Sequence, residues 1–437
     1  MTQTRELVSV LIAAAIFVAA ASLYGESNVH RRIIEGEEQP SERDEQESLF
    51  NHYFQHRGLA YETEFANLKT SASVEKWRIP YSASIHPERS GGLSAARTSS
   101  GTVLGKYDLA FNEGRDLAYQ YDRRRKLRTG VRRVGLFGRT QTYTYSTAES
   151  WEGYCSGFTA SAIMHPEPVR PVDSGKVGGR SGVVFQPSDI KALLSAAYNR
   201  TRKDSYLFVA PPTARDGGPN MGTFHLALAN YIGQAGHPVG IDRTKGYVSW
   251  NNPIYEYSVT SVRDAGRRGE IQYKELLTKI TYTWYGMDET RQTNLETGER
   301  EGHQSRSMSV RYYLELDADG RIVGGRALTH AGHFLWIPLF AVQGIPDQSS
   351  PGNPHLDVQK VIALARESAL PNVQDQYDKV VIGTMVDPQI AIRAKAEAER
   401  LRKLAEQAEK ERREREQSEQ EEDTETLVRA ENADRSQ

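Results

Sequence analysis

The stretch WEGYCSGFTASAIM, Trp151–Met164, holds the one cysteine of a chain of 437 residues. Its first half is aromatic and glycine-punctuated. Its second half, from Cys155 on, is small and apolar, which predicts a buried helix with the cysteine at its start. At a helix N-terminus the first backbone N–H groups have no partner inside the helix, so a sulfur placed there sits over hydrogen-bond donors and a positive dipole end. Gly153 and Gly157 on either side let other backbone approach closely. A thiol in that position is a candidate nucleophile. The alternative is a buried cysteine acting as a small hydrophobe.

The N-terminus bears on this choice. Leu7–Gly25 is uncharged, and small residues cluster at Ala19–Ser22. The run is expected to be a Sec-type signal peptide, or a signal anchor if it is not cleaved. Either way the rest of the chain is expected outside the inner membrane, periplasmic or secreted. Exported proteins use cysteines in pairs, and a leftover thiol points to an intermolecular bridge or to reactivity. The formal net charge is −2. With no basic patch, P-loop or GxGxxG run, nothing points to nucleic acid.

Four regions are expected: a leader over 1–25, a polar segment over 26–71, a core over 72–386, and a charged helix fraying into a tail over 387–437. The tail carries pairs such as Glu399–Lys403 and Glu409–Arg413, and its apolar positions are too few for a sustained coiled coil. Within the core, helical spacing runs through Leu104–Lys126, and the basic RRRKLRTGVRR beyond it is read as a solvated helix end. Trp77–Pro87 is read as extended. Helices are expected over the run after Pro187 and over Asn220–Gly236, and strands over Val239–Asp242 and Tyr247–Trp250. SMSVRYYLELDADGRIVGGRAL reads as a hairpin. The expected class is therefore α+β, with an antiparallel sheet and a buried helix carrying the cysteine.

A nucleophilic thiol needs a base, and the chain has eleven histidines. His225, in the apolar run GTFHLALAN, is the candidate; a satisfied core histidine is the competing reading. Asp242, ending the strand VGID, is the candidate acid that orients an imidazole; capping its own turn is the competing reading. Asp189 in QPSDI is an alternative acid, or a helix cap. His330 and His333 in HAGHF are too few for a zinc site and are read as structural. Asp317–Gly320 fits a hairpin turn and lacks EF-hand spacing. No metal site is expected.

Several motifs recur in order: WRIPYSAS, GKYDLAF, SWEGYCSGFTASAIM, VVFQPSDIKALLSAAY, GTFHLALANYIGQAGHPVGIDRTKGYVSWNNPIYEY, and later LELDADGRIVGG, HFLWIP and GNPHLD. Together they resemble the transglutaminase elicitor family over roughly Trp77 to Ala369. The resemblance implies a papain-like Cys–His–Asp thiol enzyme. It would form a γ-glutamyl thioester on Cys155 from a protein glutamine and transfer it to a lysine or other primary amine. Cys155 would be nucleophile, His225 base and Asp242 orienting acid. Trp151 and Trp250 are candidates for the oxyanion donor or tunnel wall. No cofactor follows, and calcium reliance is not carried over. The competing functions are a thiol amidase or peptidase and a non-catalytic envelope binding module.

Overall fold

A computed structural model describes residues 61–374, apart from 96, 99–100, 135–138, 200–204, 211–217, 245–247, 287–302 and 340–352. The chain divides into two units, Met1–Met385 and Val386–Gln437. The leader, most of the polar segment and the charged tail lie outside the described residues. No described helix is long and apolar enough to cross a membrane.

The centre of the first unit is an eight-stranded antiparallel sheet. Its strands are β1 (Ser71–Ser73), β4 (Tyr206–Ala210), β5 (Val239–Asp242), β6 (Asn251–Arg268), β7 (Ile271–Thr283), β8 (Ser305–Leu316), β9 (Ile322–Ala327) and β10 (Phe334–Pro338). The order is β9-β8-β7-β6-β5-β10-β4, with β1 paired to β6. A separate ribbon pairs β2 (Leu127–Val134) with β3 (Arg139–Ser146). The helices are α1 (Val103–Phe111), α2 (Leu117–Lys126), α3 (Cys155–Met164), α4 (Pro187–Tyr198), α5 (Met221–Ala227) and α6 (Val358–Ser368). A π-helical segment, Leu228–Gln234, continues α5.

Alternation assigns the two faces of the sheet. Val239 and Ile241 of β5, and Leu335 and Ile337 of β10, join one apolar cluster with Phe224, Leu226, Tyr231 and Tyr312. That face holds α5, which touches both β9 and β4 at the ends of the strand order, so the sheet curls around it. Gly240 and Asp242 face the other way, opposite Trp336 and Phe334 of β10. On this second side α3 packs against β6, β10 and β5. Gly240 leaves room for its cross-strand neighbour: a Cβ there would lie 2.7 Å from the Trp336 indole. Antiparallel α3 and α4 also meet at a glycine, since a Cβ on Gly157 would lie 2.0 Å from the Ser195 carbonyl oxygen.

Four local expectations are corrected. The helical spacing of 104–126 is carried by two helices, because the chain turns at Asn112–Asp116, where Glu113 and Asp116 both take positive φ. Of the basic run, Arg123–Lys126 ends α2 as expected, but Leu127–Arg133 belongs to strand β2. Residues 248–250 are not in a strand; the Trp250 N–H donates to the Asp242 carboxylate, and pairing resumes at Asn251. Trp77–Pro87 begins with a 3₁₀ turn, Lys76–Arg78, and has no strand partner. Within the polar segment, residues from Tyr61 already belong to this unit: the Glu62 N–H donates to Asn230 Oδ1 at 2.8 Å, and Asn230 Nδ2 donates back to the Glu62 carbonyl at 2.8 Å.

Candidate functional site

Cys155 is the first residue of α3, and its N-cap, Tyr154, contributes no side-chain cap. Tyr154 is held at both ends. Its N–H donates to the Ile85 carbonyl at 2.6 Å, and its hydroxyl donates to Asp122 Oδ1 at 2.5 Å. Gly153 permits this, since a Cβ there would meet the Ile85 carbonyl oxygen at 2.7 Å. The thiol is thereby set under the sheet, 7% exposed. Its Sγ donates to the Ser249 carbonyl at 3.7 Å.

A side-chain amide faces the sulfur. Asn251 Nδ2 is 3.9 Å from Cys155 Sγ and 3.0 Å from Ser249 Oγ. The orientation of that amide is fixed from behind. The Trp336 indole N–H, which can only donate, reaches Asn251 Oδ1 at 2.9 Å. The amide oxygen must therefore point at Trp336 and the NH₂ group at the thiol. Burial pushes the Cys155 thiol above its ordinary pKa, while hydrogen bonds from the Asn251 backbone and side chain pull it down. The Asp242 carboxylate raises it further, and the Ser156 N–H lowers it. The resting sulfur is thus a neutral thiol surrounded by donors suited to a negative charge once one forms.

Asp242 ends β5 on the thiol's side of the sheet, 1% exposed. Its Oδ1 accepts from the Trp250 N–H at 2.8 Å, the Thr244 N–H at 3.2 Å and the Thr244 hydroxyl at 3.0 Å. That leaves Oδ2 facing His333 Nδ1 at 3.5 Å. The His333 backbone N–H donates to the Asp242 carbonyl at 2.7 Å, so the two residues are tied by main chain as well. His333 comes immediately before β10, whose Phe334 pairs with Asp242.

His225 does not join this group. It lies in α5, on the opposite face of the sheet. Its Nδ1 is 2.7 Å from the Tyr312 hydroxyl, which in turn is 2.8 Å from Thr278 Oγ1. Burial pushes its pKa down to about 4. The candidate base from sequence is therefore a hydrogen-bonded core histidine, because α5 and α3 pack on opposite faces of the sheet. His333 was legible as a histidine leading into the apolar strand FLWIP. Nothing local revealed that this strand pairs with the one ending at Asp242.

Asp189 is also placed elsewhere. It accepts from Lys106 Nζ at 2.6 Å in a buried pair and from the Gln186 N–H at 2.8 Å in a capping box. It sits at the N-terminus of α4, whereas the C-terminal end of α4 is what meets the start of α3: Ser156 Oγ donates to Asn199 Oδ1 at 3.3 Å. Trp250 joins the site through its N–H to Asp242, and its ring stacks on Tyr285 with centroids 5.4 Å apart. Trp151 is half-buried in the turn leading into α3. Among the described residues no group of three or more His, Cys, Asp or Glu side chains gathers as a metal site.

This mixed fold, with its antiparallel sheet, is that of transglutaminase-like proteins. It is similar to the crystal structure of the GP42 transglutaminase from Phytophthora sojae, with a TM-score of 0.54 and 20% identity over 74% of this chain and 97% of that chain. The chain belongs to the transglutaminase elicitor family, whose model matches residues 130–369. No curated protein matches it.

Proposed function

We propose that the protein is a protein-glutamine γ-glutamyltransferase in which Cys155 is the nucleophile and His333, oriented by Asp242, is the base. The observation that carries this reading is the pairing of half-buried His333 with buried Asp242 on the same side of the sheet as a helix-borne thiol faced by the Asn251 amide. His333 accepts the Cys155 proton as Sγ attacks the side-chain carbonyl carbon of glutamine. The oxyanion that forms takes hydrogen bonds from Asn251 Nδ2 and backbone N–H groups at the start of α3. The C–N bond breaks, ammonia leaves with the proton from His333, and a thioester remains on Cys155. A primary amine then attacks the thioester, Cys155 departs as thiol, and an isopeptide bond results. The substrates are a glutamine-bearing protein and a lysine or other primary amine, met outside the inner membrane.

The neutral resting thiol favours a second reading, a non-catalytic binding module, because a buried thiol of raised pKa is inert without an effective base. Incorporation of a fluorescent primary amine into casein by the purified chain separates the two, with Cys155→Ala alongside and with calcium or chelator added. Label from the wild type alone supports the transferase. Ammonia release without label makes it an amidase. Label from both proteins, or neither signal from the wild type, overturns the proposal.

A further inference from the structure

The rim of the thiol site carries positive charge that the reaction above does not use. Just past β7, Trp284 and Tyr285 lie face to face, ring centroids 4.2 Å apart and planes 25° from parallel. Tyr285 stacks in turn on Trp250. These three half-buried rings form a continuous aromatic shelf beginning at the residue whose N–H holds Asp242. The shelf starts beside the sulfur, since the Ser249 carbonyl, next to Trp250 in the chain, accepts from Cys155 Sγ at 3.7 Å.

Two guanidinium groups share the far end of the shelf. The central carbon of Arg243 is 4.5 Å from the Trp284 ring centroid, and that of Arg306 is 3.7 Å from it. Arg243 is anchored by its Nε, which donates to Asn252 Oδ1 at 2.6 Å. Arg306 is exposed. Among the described residues neither has a carboxylate within ion-pair distance. Elsewhere on the sheet, Lys274 pairs with Asp264 and Arg311 with Glu275. Cation–π contact holds each guanidinium group on the indole but neutralises neither charge. Paired guanidinium groups, each with unused N–H donors, are well suited to a carboxylate.

We infer that the Trp250–Tyr285–Trp284 shelf and the Arg243–Arg306 pair form a subsite for an acidic side chain near the reactive glutamine of the acyl donor. The inference rests on the proposed transferase reading. The subsite suits the donor and not the amine acceptor, because a lysine ammonium would be repelled by the same two charges. The rings support the donor backbone, the glutamine enters toward Cys155, and the neighbouring carboxylate lies against the guanidinium groups.

The test uses peptides with one central glutamine and a single Glu walked through the three positions on each side, against an all-Ala parent. Amine incorporation by the full chain gives kcat/KM. Anisotropy of the same labelled peptides with Cys155→Ala gives binding without chemistry. The expected result is at least one Glu position with about tenfold higher kcat/KM and tighter binding. Both advantages should disappear in Arg306→Ala and in high salt, while the all-Ala parent reacts equally with wild type and variant. Arg306→Glu should shift the preference to a Lys-flanked glutamine. Equal use of every peptide, or a Glu advantage that survives Arg306→Ala, overturns the subsite and leaves the transferase standing. Arg306-dependent binding of Glu peptides without turnover overturns the transferase and leaves the subsite standing.

Discussion

Asn251 shows how a single donor sets an orientation. Its amide has two ways to sit, and the Trp336 indole N–H permits only the one that turns NH₂ toward Cys155. Trp336→Phe keeps the ring and removes that constraint. We expect acylation, followed as single-turnover amine incorporation, to slow by about tenfold, with a stability loss of about 1 kcal/mol. An unchanged rate would mean that the amide does not serve the oxyanion. The two histidines should separate in the same assay. His333→Gln is expected to lower kcat by at least about 10²-fold and to leave the unfolding midpoint nearly unchanged, as for loss of a general base. His225→Gln should do the reverse, since it disturbs the buried contact with Tyr312. Activity lost in His225→Gln at full stability would return the base to the other face of the sheet.

At the scale of elements, the site depends on a glycine crossing and a buried ion pair. Gly157 lets α3 lie against α4, and a methyl group there would sit 2.0 Å from a carbonyl oxygen. Backbone cannot yield as a flexible side chain does, so Gly157→Ala is expected to destabilise by about 3 kcal/mol or more. It should also shift Cys155, visible as a changed alkylation rate in the folded protein. The Lys106–Asp189 pair ties α1 to the start of α4. Lys106→Met leaves Asp189 buried without its cation, and denaturant titration should show a loss of about 3–5 kcal/mol. QPSDI offers Asp189 either as an alternative acid or as a helix cap, and it is the cap that the structure shows. Its partner is far away in the chain, which is why the buried pair was not legible there.

For the whole molecule, stability should fall in acid. Burial lowers His225 to about 4 and His165 to about 3, from an ordinary 6.5. Both are neutral when folded, so below pH 6.5 the unfolded chain binds protons that the folded chain refuses. Their contribution is complete above pH 6.5 and declines as pH falls toward 4 and 3, by up to about 1.4 kcal/mol per pH unit for each group. Denaturation midpoints at pH 7 and 4.5 test this. His225→Gln and His165→Gln should each flatten the acid slope, and a slope unchanged in both variants would assign acid sensitivity to other groups.

What the sequence determined by itself is local or carried by motifs. The start of α3 at Cys155 follows from the change from aromatic to small apolar residues, and Pro187 with Asp189 marks the start of α4. Alternation in Tyr312, Leu314 and Leu316 gives the β8–β9 hairpin, and the ordered motifs give the family. Each reads a period or cap that a few neighbouring residues set. What only the tertiary structure decided is which side chains share a face. The chain alone favours His225, in an apolar run, as the base and reads His333, before an apolar strand, as structural. The pairing of β10 with β5 brings His333 to Asp242, while the packing of α5 on the other face leaves His225 behind the sheet with Tyr312. Such pairing is non-local, and a one-residue change of register would reverse the faces. The same distant contacts turn the Asn251 amide toward the thiol and gather Arg243 and Arg306 on one indole.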